Sequence, residues 1–397
     1  MKRSRLFQSL ATLTIGAMIL AGCGGGSPAS SGTPASGSSG GTSSGSAGGQ
    51  EITAKIGVVS FLSGSGAAYG EAQKNGLELA LAELNEANKG KLKIELQFED
   101  SGGKKESAIN AVNKLINQDQ VVAIIGPTLS GEMFAAGPVA NEAETPIFGI
   151  SNTAEGINDI GEYVFRNSLP ESIAIPTAMK AAVEKKGLKK AAFIYASNDD
   201  FSVSGFKTMK ATAEKLGLEN LGEATFSNGD VDFSAQLTKI KELNPDVLFV
   251  SALYKEGSLV VKKARELGIT ATILGGNGFN NPQVFAIAGP AAEGLIVATP
   301  FSPEKKDDKV QAFVKAFEAK YGKKPDQFAA QAYDALHIMS QSLLAAGKAD
   351  REALRDQLAQ LKDFQGVSGN LSFDEKRNPI GDAVVVVAKD GKYVPFE

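Results

Sequence analysis

The chain has 397 residues, with 41 Lys+Arg against 45 Asp+Glu, one cysteine and one histidine. Its length predicts roughly two or three domains, and its formal charge of −4 argues against a nucleic-acid binder, which needs a basic surface to displace counterions. A single cysteine and a single histidine exclude an internal disulfide framework, a CxxC metal site and a His-pair zinc site.

The first fifty residues are an address and a tether. Lys2, Arg3 and Arg5 form a positive start, and residues 10–21 are a mostly apolar run that is too short for a membrane span of ~20 apolar residues. The run closes on Leu20-Ala21-Gly22-Cys23, which resembles the lipobox of bacterial lipoproteins. That resemblance implies removal of residues 1–22 as a signal peptide and acylation of Cys23. Several acyl chains on one residue anchor stably, whereas a single chain binds only marginally. The alternative is an ordinary signal peptide with an incidental cysteine. After Cys23, the segment to residue 50 is almost entirely Gly, Ser, Ala, Thr and Pro. It is expected to be a disordered linker with a reach of roughly 30 Å.

From residue 52 strands and helices alternate. Strands are predicted at 55–60, 92–98, 121–125 and 146–150, and helices at 71–86, 107–116 and 132–142, each with apolar residues on one face. The pattern restarts after Pro170, with strands at 191–195, 220–226, 247–251, 272–274 and 294–298. Helices fall at 172–185, 205–215, 233–243, 256–267 and 282–288, followed by 309–321, 327–346 and 351–361. The end reads differently: 370–373 and 383–388 look like strands with no helix between them. Continuous apolar runs such as 121–125 suit parallel strands covered on both faces. The fold class is therefore α/β, with two doubly wound parallel-sheet lobes. Ligands of such sheets sit beyond the C-terminal strand ends, so two facing lobes would enclose a crevice that a hinge can close.

The residues after the strands resemble a known family. The run 55–75, KIGVVSFLSGSGAAYGEAQKN, followed by Gly76, is similar to the opening of bacterial leucine/isoleucine/valine-binding proteins. Ile125-Gly126-Pro127, Ser130-Gly131, Pro146, Val164-Phe165-Arg166, residues 194–206 and residues 331–335 follow in the same order. The resemblance covers residues 52–397 and implies a type I periplasmic-binding-protein fold with a three-segment hinge. Its crossovers would fall near 167–170, 299–303 and 366–369. Lobe 1 is then 51–168 with 301–366, and lobe 2 is 169–300 with 367–397. The implied role is the extracytoplasmic substrate-binding component of an ABC importer for a branched-chain or other hydrophobic amino acid. No cofactor or metal is expected. The implied partners are the ligand, a permease with its ATPases and, through the lipid, a membrane; a monomer is expected.

A free amino acid needs donors for its carboxylate, acceptors for its ammonium and a pocket for its side chain. Ser130 matches the family's carboxylate-binding serine, with the Gly131 N–H beside it; an N-cap serine is the alternative. Thr153 resembles the family's threonine contact, although a one-residue deletion leaves Asn152 open as that contact, and a polar turn accounts for either. Tyr69, Phe201 and Tyr254 stand at aromatic positions of the family and could wall the pocket, with core packing as the alternative. Asn277 is a departure, because the family commonly places an acid there to meet the ammonium. A turn role for it, with Asp199, Asp200 or Glu256 supplying the charge, stays open, as does a ligand that is a non-amino-acid carboxylate or an amide.

Other classes fit worse. Gly64, Gly66 and Gly70 follow a strand, but their spacing is not that of a dinucleotide fingerprint and Tyr69 blocks the approach. His337 lies inside an apolar helix and reads as structural, so no enzymatic constellation remains. A sensory receptor would need the same closure as a transport receptor.

Overall fold

The computed structural model describes residues 50–397, so the expected signal peptide, Cys23 and the expected linker up to residue 49 lie outside the described residues. The described residues, 50–397, belong to one compact unit.

The first half runs β1 (Ile52–Ser60), α1 (Ala67–Ala87), β2 (Leu92–Asp100), α2 (Lys105–Asn117), β3 (Ala123–Ile125), α3 (Ser130–Glu142), β4 (Ile147–Gly149) and β5 (Val164–Arg166). These five strands make an all-parallel sheet in the order β2-β1-β3-β4-β5. Its inner strands are apolar and buried on both faces, with Ile56, Val58, Ile124 and Ile125 fully covered, as a sheet between two helix layers requires, while the edge strand β2 keeps one side partly exposed.

The second half repeats the plan: α4 (Glu171–Lys186), β6 (Lys190–Ala196), α5 (Asp200–Lys215), β7 (Glu219–Phe226), α6 (Ser234–Leu243), β8 (Val247–Ser251), α7 (Tyr254–Glu266), β9 (Thr272–Gly275), α8 (Gln283–Ala288) and β10 (Ile296–Thr299). The chain then returns through α9 (Asp308–Tyr321), α10 (Gln327–Ala346) and α11 (Arg351–Ala359). It finishes with β11 (Phe364–Gly366), β12 (Gly369–Phe373), β13 (Pro379–Ile380), β14 (Val384–Lys389) and β15 (Lys392–Pro395). The second sheet has the order β15-β14-β10-β9-β8-β6-β7. Strands β6 to β10 are parallel, whereas β14 and β15 add on antiparallel beyond β10. The two-lobe α/β expectation holds, with a mixed rather than wholly parallel second sheet.

Helix α10 returns to the first lobe and packs along α1. The approach is so close that a Cβ on Gly76 would lie 2.1 Å from the Ala329 carbonyl, and Tyr321 donates its hydroxyl to the Asn75 carbonyl at 2.9 Å. The structure divides the segment 367–397, expected in lobe 2. β12 and β13 form a small three-stranded sheet with β11, and beside it Arg377 donates to the carbonyls of Asn158 (3.0 Å) and Gly161 (2.9 Å) in the first lobe. Only β14 and β15 join the second sheet. Two short strands, β5 and β11, and the edge pair β13 and β15 escape periodicity because each is two to four residues long.

Both sheets wind outward from a central strand, giving the repeated order 2-1-3-4-5. The topological switch point lies between β1 and β3 in one lobe and between β6 and β8 in the other. Loops diverge there and leave a crevice at the C-terminal strand ends.

Candidate functional site

The segments that leave these switch points face each other. From the first lobe come the start of α1 after β1, the turn 126–129 after β3, and residues 151–154 after β4. From the second come Asp199 to Phe201 after β6, Leu253 and Tyr254 after β8, and Gly276 to Gly278 after β9. They enclose a cavity of about 20 Å³, room for about one water molecule, so a larger ligand enters only when the lobes part.

Its lining combines polar residues, Thr128, Ser130, Ser151 and Asn277, with apolar ones, Leu129, Phe201, Leu253 and Phe328. Tyr69 closes it. Its hydroxyl donates to the Gly278 carbonyl and accepts the Tyr254 N–H, both at 2.7 Å. Its ring packs edge-on against Tyr254 and tilted against Phe328, with centroids 4.9 and 4.5 Å apart. Burial holds the Tyr69 hydroxyl well above the usual phenol range, so it stays a donor. Because Tyr69 belongs to the first lobe and Gly278 and Tyr254 to the second, both bonds span the cleft. Lys105 Nζ and Asp200 Oδ2, 2.6 Å apart, and the Glu155 N–H donating to Ser204 Oγ at 3.1 Å span it too.

Gln73, buried on α1, organises the polar residues of the lining. Its Oε1 accepts from Ser60 Oγ and Thr128 Oγ1 at 2.9 and 2.8 Å, and its Nε2 donates to Ser151 Oγ at 3.0 Å. Ser151 in turn donates to the Thr128 carbonyl. The hydroxyls thus sit in fixed rotamers at the cavity wall before any ligand arrives.

The eight expected residues are distributed unevenly. Tyr69, Ser130, Phe201 and Asn277 line the cavity. Tyr254 supports it through Tyr69. Tyr69 and Tyr254 belong to the first turn of α1 and the start of α7, rather than to loops. Ser130 opens α3, and the N-cap is Leu129, whose N–H is held by Glu132 Oε2 at 2.9 Å. The Ser130 hydroxyl instead accepts the Ala154 N–H at 3.3 Å. Gly131 stands at the mouth, where a Cβ would meet Asp200 Oδ2 at 2.6 Å. Asn152 and Thr153 are buried behind the wall. The Asn152 carbonyl accepts from Arg166 Nη1 and Ser168 Oγ at 2.8 and 2.9 Å, and Thr153 Oγ1 has no partner.

Charge in the second-lobe wall is acidic and buried. Asp199, one of the acids left open as the source of that charge, caps α5 by accepting from Ser202 N and Oγ at 3.0 and 2.6 Å, and its carboxyl is held above its ordinary range chiefly by burial. Glu256 is also buried, accepting the Gly229 N–H at 3.1 Å. Of the three acids considered, only Asp200 is exposed. The sequence reading missed a fourth, Glu171. Burial pushes its carboxyl up to about 8. Its Oε1 accepts the Asn277 N–H at 2.9 Å, and its own N–H donates to the Thr153 carbonyl at 3.1 Å. Glu171 therefore ties the two site loops together. Its only sequence signal was an acid just after Pro170 at a helix start. Across the cleft, burial pushes Glu132 up to about 7. No Lys or Arg lines the cavity.

His337 stands on α10 with its ring 4.4 Å from that of Tyr333, and burial lowers it to about 4. Among the described residues no group of His, Cys, Asp and Glu could hold a metal ion, and no helix is long and apolar enough to cross a membrane.

Residues 53–392 match the periplasmic binding protein family. A leucine-, isoleucine-, valine-, threonine- and alanine-binding protein of Pseudomonas aeruginosa is 27% identical over 330 residues, covering 82% of this chain and 86% of its own. A branched-chain amino acid transporter substrate-binding protein of Streptococcus pneumoniae, solved with isoleucine, is 32% identical with a TM-score of 0.80, covering 86% of this chain and 97% of its own. A solute-binding protein of an ABC transporter of Rhodopseudomonas palustris, solved with benzoate, is 27% identical with a TM-score of 0.78 over 87% of this chain and 95% of its own.

Proposed function

The chain belongs to the periplasmic binding protein family, and from that premise we propose that it captures a branched-chain or other hydrophobic amino acid for an ABC importer. The observation that carries the reading is the cavity itself. The Ser130 hydroxyl, whose proton is unspent, and the start of α3 suit a carboxylate, the apolar lining suits a hydrocarbon, and the acids buried behind the second-lobe wall are the groups that would meet an ammonium. Ligand contacts to both lobes would favour the closed arrangement that Tyr69 bridges, which is how binding couples to closure. The closed form is then presented to the permease.

In this reading the moving bodies are 51–168 with 301–366, which keep β12 and β13 beside them, and 169–300 with β14 and β15. The protein works as a monomer outside the cytoplasmic membrane, tethered through lipid on Cys23 and the linker behind it. It binds and releases its ligand without reacting. Cys23→Ser should move the protein from membranes to the soluble fraction; retention on membranes would refute the anchor.

A second reading has one specific support. Asn277 is neutral where relatives commonly carry an acid, which suits a carboxylate without an ammonium, or an amide. Calorimetry against L-leucine, L-isoleucine, L-valine, benzoate and small amides separates the two. Binding of the three amino acids supports the first reading. Silence with all three and heat with benzoate or an amide supports the second.

A further inference from the structure

Helix α10 presents Gln327, Gln331 and Asp334 at spacings of four and three residues, hence on one face, and all three are buried. Each holds a different passage of the chain between the lobes. Asn167 Nδ2, in the first passage, donates to the Gln331 carbonyl at 2.8 Å. Thr299 Oγ1, at the end of β10 where the second begins, lies 3.0 Å from both Gln327 Oε1 and the Phe301 carbonyl, which share its one proton. In the third, the N–H groups of Val367 and Ser368 both donate to the Asp334 carboxylate at 2.8 Å, joined by the Ser368 hydroxyl. A Cβ on Gly366 would lie 2.4 Å from Asp334 Oδ2, so the third passage is moulded onto that carboxylate.

Gln327 has a second attachment. Its Nε2 donates to Asn277 Oδ1 at 2.6 Å, and Asn277 is a wall of the cavity. One amide thus touches a crossover with its oxygen and the cleft with its nitrogen. A further bond from Nε2 to Gln331 Oε1 at 3.2 Å links it to the next residue of the stripe. The helix that carries it is fixed against α1 by the close Gly76–Ala329 approach. Opening of the second lobe about this hinge would carry Asn277 off Gln327 and leave Thr299 near the pivot. We propose that Gln327 is the positioning residue that couples the hinge to the cleft, so that a ligand holding Asn277 also fixes the Thr299 crossover in its closed path. This rests on the cavity being the ligand site. The coupling is a chain of discrete hydrogen bonds with a broken and a made arrangement, which is the physical form such coupling needs.

The test uses two residues with no hydrogen bond to each other. Thr299→Val and Asn277→Ala are made singly and together, first with Gln327 present and then in a Gln327→Ala background. For each variant, affinities for L-leucine, L-isoleucine and L-valine are measured by calorimetry, and the urea midpoint is measured without ligand. With Gln327 present, the double variant should depart from the product of the single effects on affinity by about 3-fold or more. In the Gln327→Ala background the effects should multiply independently. Thr299→Ser, which keeps the hydroxyl, should behave as the parent. Independent effects with Gln327 present, or coupling that persists without it, would overturn the proposal. If none of the three amino acids binds the parent, the ligand reading fails separately. The ligand-free urea midpoints then decide: non-additivity that vanishes with Gln327 upholds the coupling, and additivity overturns it.

Discussion

Glu171→Gln should stabilise the ligand-free protein at alkaline pH and leave it unchanged in acid. Glu171 begins α4 and is 1% exposed. Its carboxyl accepts one hydrogen bond, from the Asn277 N–H, while Oε2 has no partner and neither does the nearby Ser251 Oγ. Two glycines make the space: a Cβ on Gly205 would meet Oε2 at 2.5 Å, and one on Gly276 would meet Oε1 at 2.4 Å. Burial, with smaller contributions from Asp199 and Glu155, pushes the carboxyl from 4.5 to about 8. The folded state therefore keeps a proton that the unfolded chain gives up. The resulting stability is complete below pH 4.5 and is lost as pH rises to about 8. That shift corresponds to roughly 5 kcal/mol as an upper bound, since local relaxation and water entry reduce it. Gln is neutral and of the same shape, and its amide oxygen still accepts the Asn277 N–H. Urea denaturation at intervals from about pH 4.5 to 8.5 should show the variant gaining ~2–4 kcal/mol over the parent across the window. Other shifted groups, Glu132 up to about 7, Asp326 and Asp334 to about 6 and His337 down to about 4, are common to both proteins and cancel in the difference. Parallel pH profiles, or a variant weaker throughout, would refute the account.

Tyr69→Phe removes a hydroxyl that makes two bonds across the cleft. It should weaken ligand affinity about 10- to 100-fold by leaving the Tyr254 N–H and the Gly278 carbonyl unpaired in the closed form; unchanged calorimetric affinity would remove Tyr69 from closure. Ser130→Ala should cost ~1–3 kcal/mol of binding if its hydroxyl pairs with the ligand, and an intact dissociation constant would exclude it. Asp200→Asn should do little. Asp200 and Lys105 keep 42% and 53% of their side-chain surfaces exposed, so their pair is worth ~0.2–1 kcal/mol, and its effect on affinity should vanish in high salt.

The alternation of strand and helix was legible because each unit is long enough to show its period. The repeat of the plan on both sides of Pro170 already implied two lobes. Site residues were legible where they follow a strand and stay on the cavity wall, as Ser130, Asn277 and Phe201 do. Asn152 and Thr153 lie in the same kind of turn, yet Arg166 and Ser168 draw the Asn152 carbonyl inward. Only three-dimensional packing decides that. Gln73, Glu171 and Gln327 escaped for the opposite reason. Each sits on a helix, where a polar residue is ordinarily solvated, and each is buried only because a distant segment supplies its partners: Thr128 for Gln73, Asn277 for Glu171, Thr299 for Gln327. Sequence separation hides such pairs from any local pattern.

The neutral Asn277 and the buried Glu171 behind it are best understood together. An acid on the cavity wall would carry full charge before ligand arrives. Here the wall residue is a dipole, and the acid that grips its backbone keeps its proton at neutral pH, with burial holding the carboxyl up to about 8. An ammonium seated at Asn277 would favour the ionised carboxylate and draw its pKa down. Binding of L-leucine near pH 7.5 should then release a fraction of a proton, read by calorimetry in buffers of different ionisation enthalpy. Benzoate, which brings no cation, would hold that proton in place or add to its retention. The sign of proton exchange therefore discriminates the two ligand classes independently of affinity. It also assigns the source: release that persists in Glu171→Gln would place the responding acid elsewhere, at Asp199 or Glu256, and would refute the pairing of Glu171 with the ligand's charge.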